Sequence, residues 1–178
     1  MNRFISNSPL SFALAMVLEE IAFVLGNKPG ALQKIAKLLA EGRINVAAIS
    51  VHSQSQRGYI RMVVSDTERA LWLLRREGYK VDAQELIVVG LEDRSGNLLR
   101  VLDILAQHKL NITSANVLVS REGMKSLIAI GTDNPPRARE LLSSAGFVSA
   151  EAEQLITNAG LVSRSIVDSG RESVGMLL

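Results

Sequence analysis

Asn27, Pro29 and Gly30 stand together in "LGNKPGALQKIAKLLAEGRIN" (25–45), at the mouth of a stretch whose apolar residues recur at helical spacing. A turn of this kind presents the unpaired backbone N–H groups of a helix start, here Gly30, Ala31 and Leu32, with the positive end of the helix dipole pointing the same way. Lys28 and Pro29 complete the turn, the proline giving up an N–H that lacks a partner at a helix start anyway. A carboxylate is the natural guest. The side-chain amide of Asn27 adds donor and acceptor capacity, which suits an ammonium and a carboxylate carried by one molecule. Asn45, at the entrance of the following strand, offers a second amide and is expected near the same end of the sheet. Such a set binds a free amino acid without transforming it. The competing reading is structural, because Asn before Pro-Gly is ordinary turn chemistry and an Asn at a strand entrance often bonds only its own backbone.

The arrangement returns 66 residues later in "DRSGNLLRVLDILAQHKLN" (93–111), where Asp93, Gly96 and Asn111 take the places of Asn27, Gly30 and Asn45. A carboxylate at 93 repels an amino acid's carboxylate and attracts its ammonium. Either Asp93 meets the ammonium across an interface or the second turn is purely structural, and one competent type of site, built around Asn27, is expected.

The elements that must position these residues follow from the same repeat, which organises the chain before any single residue does. Leu32, Ile35, Ala36, Leu38 and Leu39 fall on Leu98, Val101, Leu102, Ile104 and Leu105, one buried stripe in each copy. "RGYIRMVVSD" (57–66) answers "EGMKSLIAIGTD" (122–133), and "ERALWLLRREGY" (68–79) answers "PRARELLSSAGF" (136–147). Within the first copy the pattern predicts strands over 20–25, 44–53, 58–65 and 80–86, with helices over 30–41 and 67–77. That order, β-α-β-β-α-β, is the ferredoxin-like motif, so the fold class is α+β: two such units in tandem, antiparallel sheets with the helices on one face. Residues 81–92 must finish one sheet and begin the next with no flexible linker. The expected organisation is an N-terminal extension (1–16), a first unit (17–84), a second unit (85–156) and a Ser/Gly-containing tail (157–178).

Composition narrows the function classes. The chain has 178 residues, 47% of them hydrophobic, which is ample for packed cores. Residues 19–84 carry ten Lys/Arg against seven Asp/Glu and residues 85–157 seven against nine, so neither half is the dense basic stripe of a nucleic-acid footprint. Zero cysteines exclude disulfides and thiolate chemistry and fit a cytoplasmic protein. The apolar stretch from Pro9 to Leu18 is too short to span a bilayer, and an extra helix, or an upstream extension before a start at Met16, explains it better than a secretory signal. With only two histidines, His52 and His108, no metal spacing is available, and no P-loop, dinucleotide or nucleophile-elbow motif appears. No enzyme activity, cofactor, metal or membrane partner is expected.

"NKPGAL" followed by "INVAAISVHSQSQRGYIRMVVSD" resembles the ACT domain, a regulatory module of amino-acid metabolism, and residues 17–156 as a whole are similar to small free-standing proteins made of two ACT domains. The resemblance implies an effector site for a free amino acid at an interface between ACT units. In serine-binding members the Asn of the Asn-x-Pro-Gly turn and the Asn of the following strand touch the ligand, which maps that role onto Asn27 and Asn45. Those members also place a His two residues before the turn Asn, where this chain has Leu25, so serine is not the implied ligand.

The functional expectation is therefore an amino-acid-binding regulatory protein that forms a homodimer. The alternative is an interaction subunit that docks on a biosynthetic enzyme without a ligand of its own. RNA binding, which the strand order also permits, needs aromatics on the central strands, and here Tyr59 is the sole aromatic in one candidate strand while "MKSLIAI" (124–130) has none. Leu71 and Trp72 match Arg139 and Glu140 in the second copy, so the first copy carries extra apolar surface, for which Phe4, Leu10 and Phe12 of the extension are the expected cover and a partner subunit the alternative.

Overall fold

In the computed structural model, residues 18–92, 94–119 and 126–148 are described. The chain runs β1 (Leu18–Gly26), α1 (Ala31–Glu41), β2 (Val46–Gln54), β3 (Arg57–Val64), α2 (Thr67–Arg76), β4 (Val81–Leu91), α3 (Asn97–Gln107), β5 (Ile112–Val119), β6 (Ser126–Thr132) and α4 (Pro135–Ser144). The expected elements form, and the alternation of β-branched and polar residues sets each strand as read. The last strand expected for the second unit, and Phe4, Leu10 and Phe12, lie outside the described residues.

One point differs from two separate sheets. The six strands form a single antiparallel sheet in the order β2-β3-β1-β4-β6-β5. The reason is β4, which spans the expected border between residues 84 and 85. Its first half, Val81–Leu86, pairs with β1, and its second half, Leu86–Leu91, pairs with β6. A strand that must serve two units without a linker serves both by offering one edge to each.

Period-2 alternation then sorts the side chains into three clusters. On the helix side of the first unit, Ile21, Phe23, Ile60, Met62 and Val81 pack on Ile35 and Leu39 of α1 and Leu74 of α2. On the helix side of the second, Ile87, Val89 and Ile130 pack on Val101 and Leu105 of α3 and Leu142 of α4. Each such side chain contributes about 1.5–3 kcal/mol by leaving water. The third cluster belongs to neither helix layer: Leu18 and Val63 of the first unit meet Leu86, Val88, Leu127 and Ala129 of the second, with Ala48 and Leu118 against them. The sheet therefore curls until its helix-free face closes on itself, and its two outermost strands, β2 and β5, come into contact. The order through the molecule is helices, sheet, sheet, helices.

Helix starts follow two local rules. Asp66 caps α2 by accepting from the Arg69 N–H at 2.9 Å, and Asn134 caps α4 by accepting from the Arg137 N–H at 3.2 Å, each worth about 1 kcal/mol. These matching caps put the copies 68 apart beyond the β-hairpin, so Ser65, not Asp66, is the partner of Asp133. The α1 and α3 starts use the left-handed conformation instead, Gly30 at φ 81° and Gly96 at φ 92°, where a side chain would be strained.

Candidate functional site

The turn before α1 folds through Lys28 N–H to the Gly26 carbonyl (2.9 Å) and Ala31 N–H to the Lys28 carbonyl (3.1 Å). Among the described residues, the N–H groups of Gly30, Leu32 and Gln33 have no backbone acceptor, and Asn27 through Gly30 are exposed. Asn27 is anchored at both ends of its residue: its N–H donates to the Gln56 carbonyl at 2.9 Å and its Nδ2 to the Ser55 carbonyl at 3.2 Å. The amide oxygen is left to accept. The turn therefore leaves open donors at Gly30 and Leu32 and an amide acceptor at Asn27, whereas Ala31, expected among the donors, spends its N–H on the Lys28 carbonyl.

The second copy repeats the two bonds within the turn, with Arg94 N–H to Glu92 carbonyl at 2.8 Å and Asn97 N–H to Arg94 carbonyl at 3.2 Å. Its side chains differ. Asn97, where the first copy has Ala31, donates its Nδ2 to the Glu92 carbonyl at 3.0 Å and stitches the turn from within. Asp93 lies outside the described residues.

Asn45 is not where the sequence reading placed it. Its N–H donates to the Ser65 hydroxyl at 2.9 Å, and the Ser65 N–H returns to its carbonyl, so Asn45 sits at the far end of β3 from Asn27. The eight-residue strand between them rises about 26 Å at roughly 3.3 Å per residue. The cause is topological: a crossover helix returns the chain to the end of the sheet where β1 began, so the C-terminal end of β1 and the start of β2 are necessarily opposite. Asn111 occupies the matching position in the second copy, with its Nδ2 given to Asp133 at 2.8 Å and its N–H to the same carboxylate at 3.1 Å. The turns at Gly30 and Gly96 are likewise apart, at opposite ends of the eleven-residue β4, about 35 Å. Within one chain neither Asn45 nor Gly96 joins Asn27, Lys28, Pro29, Gly30, Ala31 and Leu32.

What the chain does bring together between its units is a polar cluster that the sequence reading missed. Glu20, 1% exposed, accepts from Arg61 Nη1 at 2.8 Å, Gln84 Nε2 at 2.7 Å and Asn116 Nδ2 at 2.7 Å. Gln84 also donates to the Ser114 hydroxyl at 3.0 Å and accepts from Thr113 at 3.1 Å. A buried carboxylate with three donors is paired as burial requires. The signal was available in the repeat: Glu20 and Arg61 stand where the second copy has Leu86 and Ala129. Gly131 lies beneath, and a Cβ there would meet Ser114 Oγ at 2.7 Å and Thr113 Oγ1 at 2.8 Å.

The histidines divide. His108 bonds the Ile104 carbonyl through Nδ1 at 2.9 Å at the end of α3, whereas His52 lines an open cavity on the helix-free face of the first unit. Trp72 is 58% exposed on α2 with the Arg76 guanidinium 4.7 Å above its ring. Among the described residues no group of His, Asp or Glu could hold a metal ion, and no helix is long and apolar enough to cross a membrane.

The family profile described as an ACT domain pair matches residues 16–158. Among solved structures, protein BT0572 from Bacteroides thetaiotaomicron is similar at 23% identity and a TM-score of 0.68, over 76% of this chain and 93% of that one. The ligand-free regulatory subunit of aspartate kinase from Thermus thermophilus is similar at 18% identity and a TM-score of 0.52, over 75% and 95% of the two chains. Its counterpart from Thermus flavus stands at 21% and 0.50, over 73% and 93%. These likenesses are of fold. No curated protein matches the sequence.

Proposed function

The chain belongs to the ACT domain pair family, and from that premise we propose that it is a regulatory protein that binds a free amino acid at the Asn27–Leu32 turn and passes the binding on as a change in how chains associate. The observation that carries this reading is the asymmetry of the two turns. Both turns leave helix-start N–H groups without a backbone acceptor, so the difference lies in side chains: the first adds the open Asn27 oxygen beside the Gly30, Leu32 and Gln33 N–H groups, whereas in the second Asn97 bonds the Glu92 carbonyl. The amino acid's carboxylate takes the N–H groups and its ammonium the amide oxygen. The turn is an exposed half-site, and Asn45 and Gly96 of the same chain are too far away to close it. The remaining wall is a second copy, so the effector-binding form is a homodimer. A ligand that bridges two copies favours the associated form by its difference in affinity for the two states.

Calorimetry against the twenty amino acids, with sedimentation in parallel, tests this. Binding by one amino acid, its loss in Asn27→Ala and a shift toward dimer on saturation are expected. Binding that Asn27→Ala leaves intact, or no binding at millimolar ligand, removes the reading.

The second reading, docking on a biosynthetic enzyme, is favoured by Trp72 and the groove of about 510 Å³ it forms with Glu68, Leu71, Arg75 and Arg76. Trp72→Glu then abolishes co-purification of a partner enzyme while amino-acid binding persists. If neither changes, Trp72 is not a docking residue.

A further inference from the structure

The helix-free face of the first unit is covered by the second unit only along part of its length. Three rows of side chains cross this face in register. The innermost, Ala48, Val63, Glu20 and Gln84, is sealed by the second unit. The next is Ser50, Arg61, Ala22 and Asp82, and the third is His52, Tyr59 and Val24. Arg61, Ala22 and Asp82 of the middle row and the whole third row line an open cavity of about 740 Å³, to which Lys80 contributes from the chain just before β4. That volume falls in the ordinary range of small-molecule sites, about 300–1,000 Å³.

The charge pattern in the middle row is specific. Arg61 and Asp82 both stand directly beside Ala22, one on each side, so their Cα atoms are about 10 Å apart, two strand spacings. The methyl of Ala22 leaves the floor between them empty. Arg61 is steadied by the Glu20 carboxylate through Nη1 and remains 38% exposed. Among the described residues Asp82 and Lys80 have no hydrogen-bond or ion-pair partner. The second unit shows nothing of the kind: Ala22, Arg61, Tyr59 and His52 match Val88, Ala129, Leu127 and Leu118, apolar residues packed or half-packed in the shared cluster. Tandem copies that share a backbone have thus diverged on this face into one that packs and one that carries opposite charges around a void.

We propose that this cavity is a second ligand site, distinct from the Asn27 turn, that holds a zwitterionic α-amino acid with its carboxylate on Arg61, its ammonium on Asp82 and its side chain over Val24 and Tyr59. Neighbouring charge narrows the class. Asp82 opposes a phosphate or dicarboxylate bound across the row, and Arg61 opposes a dication. A molecule with both signs a few ångströms apart satisfies both walls at once.

Amide chemical-shift mapping on the full-length protein, titrated with the twenty amino acids and with acetate and ethylamine as single-charge probes, tests the assignment. One or more amino acids are expected to shift the Ala22, Val24, Arg61 and Asp82 amides, with acetate and ethylamine far weaker. Asp82→Asn, an exposed position where folding is not at stake, weakens that binding by about tenfold or more, the loss of one charge-assisted hydrogen bond. Ala22→Leu fills the floor and abolishes it. Asn27→Ala leaves these shifts in place, which separates this site from the proposed one. Shifts confined to residues 27–33, no shift with any amino acid, or binding indifferent to both Asp82→Asn and Ala22→Leu overturns the proposal.

Discussion

The two units share one backbone and have divided its tasks. Their turns before α1 and α3 are closed by the same two backbone hydrogen bonds, and their second helices are capped by Asp66 and Asn134 in the same way. Their helix-free faces agree only in part. Leu18 and Val63 of the first pack with Leu86, Val88, Leu127 and Ala129 of the second, but the first also presents Glu20, Arg61, Tyr59 and His52 where the second has Leu86, Ala129, Leu127 and Leu118. Backbone geometry is retained because the fold needs it; beyond the apolar contact that holds the halves together, the side chains of this face are free to specialise.

The sharpest break of that comparison is Glu20→Ala. Asn116 Nδ2 would lose its acceptor at about 1–3 kcal/mol, whereas Gln84 Nε2 keeps the Ser114 hydroxyl and Arg61, 38% exposed, can turn to water, so a loss of about 1–3 kcal/mol is expected. Urea unfolding measures it. A loss below about 0.5 kcal/mol, the range of ordinary surface changes, would show that the cluster does not join the units. Next is Gly131→Ala, at the position where the first unit has Val63. A methyl there meets Ser114 Oγ at 2.7 Å, Thr113 Oγ1 at 2.8 Å and Gln84 Nε2 at 3.0 Å, and forcing short side chains apart costs about 1–3 kcal/mol. An unchanged unfolding midpoint would mean that the polar cluster yields without strain.

Gly30→Ala and Gly96→Ala should each cost about 1 kcal/mol through the left-handed backbone alone, because a Cβ at Gly30 has its nearest neighbour at 3.8 Å and one at Gly96 has none within 4 Å. Equal thermal shifts for the pair would sharpen the comparison, since they would place the difference between the turns entirely in side chains. Unequal shifts would put part of it in the backbone.

How much of this was legible in the sequence divides along the same line. Everything repeated was readable: the helical stripes through Ile35 and Leu39 or Val101 and Leu105, the strand alternation and the glycine turns all rest on local periodicity. The place of Asn45 was not, although topology contained it, because a β-α-β crossover puts residues that follow one strand far from residues that precede the next. The curl of the sheet was not readable either, since it depends on strands almost a hundred residues apart meeting, as Glu20 and Asn116 do. The polar cluster lay between these cases. Glu20 against Leu86 and Arg61 against Ala129 is a paired departure from the repeat, and two departures of opposite charge in neighbouring strands signal a contact.

A subtler asymmetry sets the smallest effect. Glu19 and Glu85 are equivalent positions of the two units, and β1 and β4 bring them directly opposite one another. Glu85 is held by Arg139 at 2.9 Å. In the first unit the position of Arg139 is Leu71, so Glu19 has no such cation, and burial, then the carboxylates of Glu68 and Glu85, raise its pKa from the ordinary 4.5. A carboxyl that holds its proton more tightly when folded releases it on unfolding, so this residue's contribution to stability falls as pH rises through 4.5 and levels off once pH passes the raised folded pKa. Glu19→Gln should therefore raise the urea midpoint at neutral pH and leave it unchanged well below pH 4.5, where the wild-type carboxyl is protonated in both states. Leu71→Arg should act in the same direction by supplying the missing cation. A gain in Glu19→Gln that is the same at both pH values would assign the effect to packing instead, and the difference between the units at this pair would no longer be electrostatic.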